Sequence, residues 1–370
     1  MARIGIVIYS LAGAGAERVS VNLAHEFVAA GHAVDFVPAQ GGGELMGEVP
    51  PSSGVHVAQS GGARAWRAAI AHYVDTQAPD VLLAMMEGAG VLSIQAARGR
   101  AVPVYVVSHI HFSWHCRHAS RWKERWLMPL AARWCLPRAA GVIGVSQGVS
   151  EDIRRAAGLR RDKVHTIYNP ILTEAFYHKA AEPMDHSWFQ PDRDWLTVVT
   201  VGRLTAQKDH DTQLRAIREV NRQRPVRLVI LGQGERHEEL EALARELGIG
   251  EIVEFAGFDP NPYRYIAAAD VFVLSSRWEG FGNVLVEALA CGTNVVSTDC
   301  PSGPSEVLGE GKYGELVSVG DSGALAQGIV AALCRQAETG QLLQHLDKFK
   351  AARVAQEYLH VMGLTEGDNS

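Results

Sequence analysis

Little in this chain points to a secreted, membrane-spanning or nucleic-acid-binding protein. Its 370 residues hold five cysteines, an odd number with no Cys-x-x-Cys pair, which argues against a disulfide framework and against a structural zinc site. A reducing cytoplasm suits that usage. No apolar run is long enough for a transmembrane helix. The opening Met1-Ala-Arg-Ile-Gly-Ile-Val-Ile-Tyr-Ser reads as a β-strand rather than a signal peptide, because no basic segment precedes it and no small-residue cleavage pattern follows. Positive charge is in deficit, and a formal net charge of −6 gives no support for a nucleic-acid partner.

What the chain does have is alternation. Short apolar segments at Ile4–Tyr9, Val34–Val37, Val81–Met85, Val104–Val107 and Val142–Val145 are separated by helical stretches, the βαβ pattern of a mostly parallel sheet covered on both faces. The series pauses between Thr173 and Asp194, a polar, proline-containing stretch expected to be the domain linker. It restarts with Leu196–Val201, Arg227–Leu231, Ile252–Phe255, Val271–Leu274 and Asn294–Ser297. The fold class is therefore α/β, with two doubly wound domains, as the length of the chain also suggests. Domains are expected over 1–175 and 176–341, enclosing a cleft at the carboxyl ends of the strands. A last helical stretch, 342–364, follows, and the tail from Thr365 to Ser370 is expected to be disordered.

The most informative segment runs from Ser275 to Gly292, where Glu279 and Glu287 stand eight positions apart. Val271–Leu274 reads as a buried strand, Arg277 to Gly282 as a loop, and Asn283 to Cys291 as a helix capped by Asn283 and stopped by Gly292. A helix N-terminus favours phosphate, and the two carboxylates can accept bonds from hydroxyls. Phosphate flanked by hydroxyls describes a sugar nucleotide.

These residues, in the form EGFGNVLVEALACG, with GRLTAQKD upstream and CPSGPSEVL downstream, resemble the retaining glycosyltransferases of family 4. AGAGAERV, VIGVSQGVSED, IYNPI and GFDPNPYRYIAAADVFVLSS fall in the family's order, so the resemblance covers nearly the whole chain. It implies the GT-B fold, two Rossmann-like domains facing a cleft, with the last helix crossing back to the first domain. It also implies transfer of a hexose or N-acetylhexosamine from a UDP-sugar to a glycan acceptor, lipid-linked as in bacterial surface polysaccharide synthesis.

By that resemblance Arg203 and Lys208 hold the diphosphate, Glu287 accepts from the ribose hydroxyls and Glu279 contacts the donor sugar. Fixed cations would stabilise the charge that grows on leaving UDP. The competing reading of Arg203 and Lys208 is a surface ion pair with Asp209 or Asp211. Backbone around Gly280, Phe281, Gly282 and Asn283 would meet the diphosphate, Phe258 lies in the loop that seats the base, and Gly15 belongs to a glycine-rich turn over the donor phosphates. His111 matches a histidine placed near the donor sugar, with His109 as the fallback. Neither the histidine series from His109 to His118 nor the Asp-x-Asp pairs at Asp192 and Asp209 have the placement of a metal site. No metal and no cofactor are expected. Other readings are a UDP-sugar epimerase of the same architecture and a silent nucleotide- or glycan-binding module.

One stretch is unusual in an acidic chain. Between Trp114 and Arg138, Arg117, Arg121, Lys123, Arg125 and Arg133 stand with Trp122, Trp126 and Trp134 against a single acid, Glu124. Trp122, Trp126, Leu130 and Trp134 recur every four residues, placing their bulk along one helical face. Docking on an anionic bilayer through Trp122, Trp126, Arg121, Lys123 and Arg125 is one reading, making the protein peripheral on the inner face of the cell membrane. A core helix with solvated arginines is the other.

Overall fold

The computed structural model describes residues 1–13, 15–58, 62–119, 121–333 and 339–365. The chain forms two compact units. One joins Met1–Ile171 to the segment beginning at Phe349, and the other is Leu172–Lys348.

The first unit is built on a seven-stranded sheet of β1 (Arg3–Ile8), β2 (Ala33–Pro38), β3 (Gly54–Val55), β4 (Val81–Met85), β5 (Val104–Ser108), β6 (Gly141–Gly144) and β7 (Val164–Thr166). Every pairing is parallel and the order is β3-β2-β1-β4-β5-β6-β7. Residues of β4 and β6 are buried along their whole length, as expected when helices cover both faces of a sheet.

The second unit repeats the plan with β8 (Leu196–Val201), β9 (Val226–Leu231), β10 (Val253–Gly257), β11 (Val271–Leu274), β12 (Asn294–Thr298) and β13 (Glu315–Val317). Its pairings are again parallel, in the order β10-β9-β8-β11-β12-β13. Strand order reverses between β1 and β4 in one sheet and between β8 and β11 in the other. Those reversals open crevices at the carboxyl ends of the strands. The strands without a sequence signal, β3, β7 and β13, are edge strands of two or three residues, too short to show a period.

Two expectations change. The stretch taken for a linker is ordered: Thr173 caps the helix Glu174–Ala180 by accepting from Phe176 N at 3.1 Å, and a 3₁₀ turn follows at Ser187–Phe189. Phe176 and Phe189 are buried, packing edge-on against Tyr263 (5.0 Å) and Tyr265 (5.8 Å), which ties the stretch to the second unit. Isolated aromatics carry that packing, and periodicity does not detect them.

The final helical stretch is two helices, Thr339–Asp347 and Ala351–Val361, separated by an extended Lys350. The first stays with the second unit, where His345 Nε2 lies 2.7 Å from the Val307 carbonyl oxygen. The second packs on the helix Gly15–Ala29 of the first unit, with the Phe27 and Tyr358 rings 6.5 Å apart. Phe349 O accepts from Ile171 N at 3.1 Å and so fastens the returning chain. Beyond Thr365, the expected disordered tail lies outside the described residues.

Candidate functional site

In the second unit the loops after β8 and β11 leave the sheet side by side at the reversal of strand order. Lys208, on the first loop, donates from Nζ to Glu279 Oε1 on the second at 2.5 Å. Ser276 Oγ donates to the same oxygen at 2.6 Å. Both side chains are nearly buried, 15% and 9% exposed, so charge pairing here acts at low effective dielectric. Both bonds fall on Oε1. Glu279 Oε2 makes no hydrogen bond among the described residues and keeps its acceptor capacity.

The two loops are joined by further bonds. Ser275 Oγ donates to Lys208 O at 2.7 Å, Arg277 N to Gln207 O at 2.8 Å, and Gln207 Nε2 to Trp278 O at 2.9 Å. Arg203 is exposed and its guanidinium makes no ion pair or hydrogen bond among the described residues. The surface-pair reading therefore gives way: Asp209 pairs with Arg277 and Asp211 with Arg236, while Lys208 takes Glu279.

The helix after β11 begins at Asn283 and ends at Ala290. Asn283 does not cap it. Gly282 holds the cap position at φ +87°, a left-handed backbone that glycine adopts without strain. Glu287 is half-buried inside this helix. Phe281 is buried, and its carbonyl oxygen would sit 2.1 Å from a Cβ at Gly303, so the loop after β12 requires glycine there. Gly280 lies between Glu279 and Phe281 on the same loop. Phe258 is 55% exposed after β10, whereas the neighbouring Asn261 is buried and donates to Lys179 O and Glu182 Oε2.

The first unit gathers a polar cluster at the carboxyl end of its sheet. His111 precedes the helix Phe112–His118, and its Nδ1 lies 3.3 Å from Asp152 Oδ2, too poorly aligned for a hydrogen bond. Asp152 accepts from Ser113 N at 2.8 Å. His109 Nε2 is buried without a partner among the described residues, and burial pushes its ring down to about 4. Beside them Glu87 is buried and bonded by Ser108 Oγ; burial raises its carboxyl to about 7, with the Ser108 bond opposing. It follows Met86, whose φ of +83° is rare for a side-chain-bearing residue. Gly15 opens the helix Gly15–Ala29, where Glu17 accepts from Ser10 Oγ.

Glu87, Ser108, Asp152, Ser276 and the Asp209–Arg277 pair are missing from the sequence reading. The available signal was positional: Glu87, Ser108 and Ser276 stand at or just after the carboxyl ends of β4, β5 and β11, where polar residues interrupt apolar runs.

The basic aromatic stretch forms a π-helical turn, Lys123–Leu127, running into the helix Met128–Cys135. Trp122, Trp126, Leu130 and Trp134 are 61%, 65%, 66% and 64% exposed, which overturns the core-helix reading. Cations lie over these rings: Lys123 at 6.0 Å from Trp122, Arg125 at 5.7 Å from Trp126 and Arg138 at 4.5 Å from Trp134. Arg121 is largely exposed, 3.5 Å from Glu124. Among the described residues no helix is long and apolar enough to cross a membrane.

Residues 13–175 match the family model for glycosyltransferase family 4, and residues 188–350 match that for glycosyl transferases group 1. The N-acetylgalactosamine-N,N'-diacetylbacillosaminyl-diphospho-undecaprenol 4-alpha-N-acetylgalactosaminyltransferase of Campylobacter jejuni is 36% identical over 230 residues, 60% of this chain and 60% of that protein. The lipopolysaccharide core biosynthesis glycosyltransferase LpsE of Rhizobium meliloti is 37% identical over 146 residues, 40% of this chain and 42% of that one. The chain thus spans less than two thirds of the length of either relative. Among solved structures, Anabaena HepE in complex with UDP shares the fold, with a TM-score of 0.76 at 21% identity over 98% of this chain and 100% of that one. With two parallel α/β units, the paired Lys208 and Glu279 at a strand-order reversal, and both family matches in sequence, the chain belongs to the glycosyltransferases, its first half of family 4 and its second half of group 1.

Proposed function

We propose that this chain moves a hexose or N-acetylhexosamine from a UDP-sugar onto a lipid-linked glycan, with retention and without a metal ion. The observation that carries the reading is the Lys208–Glu279 pair. Lys208 has three N–H groups, so it can keep Glu279 and still reach a phosphate oxygen. Exposed Arg203, whose side chain makes no ion pair or hydrogen bond among the described residues, adds a guanidinium able to grip two phosphate oxygens. Together they would neutralise the charge growing on the leaving diphosphate, the task a divalent ion performs elsewhere. Glu279 would accept from a donor-sugar hydroxyl through Oε2, and Glu287 from the ribose. His111 would border the donor sugar. Front-face attack, with the departing phosphate taking the acceptor proton, accounts for retention without a carboxylate nucleophile.

The lipid-linked acceptor is supported by the Campylobacter relative, whose name specifies a diphospho-undecaprenol acceptor. The exposed tryptophans supply a second support. Four large apolar side chains on one face, ringed by Arg121, Lys123 and Arg125, fit the headgroup region of an anionic bilayer, so the enzyme would work as a peripheral protein on the cytoplasmic leaflet.

The test is turnover of a panel of UDP- and GDP-sugars with a lipid diphosphate-linked acceptor, reading product anomer and nucleotide release. Activity should survive excess EDTA and fall by about 100-fold or more in Arg203→Ala. Loss on chelation, restored by Mg²⁺ or Mn²⁺, would refute the metal-free reading, and conversion of UDP-sugar without acceptor would favour an epimerase.

A further inference from the structure

Asp209 combines three features that ordinary surface aspartates lack. It follows Lys208 directly, its side chain is 0% exposed, and its backbone sits at φ +48°, in the left-handed region. Aspartate tolerates that region better than most residues but does not prefer it. Its carboxylate is used on both oxygens: Oδ1 lies 3.0 Å from Arg277 Nη2, and Oδ2 accepts from Thr212 Oγ1 at 3.0 Å. A buried carboxylate in an uncommon backbone conformation persists only where its surroundings hold it.

Arg277 lies two residues before Glu279, as Asp209 lies one after Lys208. The Asp209–Arg277 bond therefore spans the same two loops that carry the Lys208–Glu279 pair, beside the Arg277 N to Gln207 O and Ser275 Oγ to Lys208 O bonds. We infer that Asp209 and Arg277 are positioning residues, a clasp that fixes the backbone of the Lys208 loop against the Glu279 loop and so sets the ammonium and carboxylate where the donor's diphosphate and sugar meet them. The guanidinium is half-exposed, and the helix His210–Asn221 begins at the next residue, so the clasp also anchors the loop to a rigid element. Neither residue needs to touch the donor. This role rests on the donor-site reading proposed above.

Four variants of the clasp in the full chain, set beside Lys208→Ala, separate the contributions. Arg277→Ala removes the clasp from its half-exposed end, and Arg277→Lys keeps a charge in its place. Asp209→Gly suits the left-handed backbone but deletes both side-chain bonds, while Asp209→Asn keeps the shape and removes the charge. Steady-state kinetics with a UDP-sugar should show kcat falling roughly 10- to 100-fold in Arg277→Ala and Asp209→Gly with a smaller change in KM, because displaced groups cost most at the transition state. Arg277→Lys should recover part of the loss. Unfolding midpoints, recorded alongside, should stay well above the assay temperature for Arg277→Ala, and that variant decides the matter if Asp209→Gly fails to fold. Unchanged kcat in Arg277→Ala, with Lys208→Ala strongly impaired, would overturn the clasp alone. A Lys208→Ala variant with unaltered kcat would overturn the donor reading and the clasp's role with it.

Discussion

Glu87 and His109 stand at neighbouring strand ends and are displaced in opposite senses. Burial raises the Glu87 carboxyl from 4.5 to about 7, so the fold favours its protonated form. The stability this contributes is complete below about 4.5 and is lost as pH rises through about 7. Burial lowers His109 from 6.5 to about 4, so the fold favours the neutral ring, and that contribution is present above about 6.5 and lost as pH falls toward 4. Between these limits the folded chain holds an extra proton at Glu87 and lacks one at His109. The two slopes, each up to about 1.4 kcal/mol per pH unit, nearly cancel. Denaturant unfolding from pH 4.5 to 6.5 should therefore show Glu87→Gln gaining stability with rising pH relative to the wild type, and His109→Asn losing it. Parallel curves for Glu87→Gln and wild type would refute the protonated buried carboxyl.

At the scale of the element, the π-helical turn and the helix Met128–Cys135 act as one amphipathic unit with its apolar side outward. Each basic residue near an anionic surface adds about 1 kcal/mol, so Arg121, Lys123 and Arg125 together can hold the protein reversibly. Wild-type protein should co-sediment with vesicles containing phosphatidylserine at low salt and release as salt screens the attraction. Combined Arg121→Glu, Lys123→Glu and Arg125→Glu should abolish sedimentation. Trp122→Ser with Trp126→Ser should weaken the part that survives salt, since that part depends on buried apolar area. Equal sedimentation of wild type and the charge-reversed variant would show that this face does not dock on lipid.

For the molecule as a whole, the returning helix Ala351–Val361 matters most to the first unit. Val354, Tyr358 and Leu359 are buried in it, and Tyr358 is wholly enclosed with a hydroxyl that finds no partner among the described residues. Tyr358→Ala should cost about 3–5 kcal/mol, the range for removing a large buried ring. Tyr358→Phe should be neutral or stabilising, because it removes an unbonded buried hydroxyl and little volume. Hydrogen exchange resolved by peptide should place the loss from Tyr358→Ala in the first unit, around the helix Gly15–Ala29. Destabilisation confined to the second unit would contradict that packing.

The sequence by itself determined the α/β class and the parallel sheets, because apolar strand runs are local patterns, and it singled out the Glu279–Glu287 spacing on which the proposed donor site rests. It also marked Trp122, Trp126, Leu130 and Trp134 as one helical face with basic residues beside it. Only the tertiary structure decided which way that face points, since a tryptophan stripe reads the same whether it is buried or exposed. It decided, too, that Asp209 and Asp211 belong to Arg277 and Arg236, leaving Lys208 to Glu279: those pairs join residues 68, 25 and 71 positions apart, and no local period reports them. Glu87 was illegible for the same reason. A glutamate after a strand is ordinarily solvated, and its displaced proton comes from burial that neighbouring elements impose.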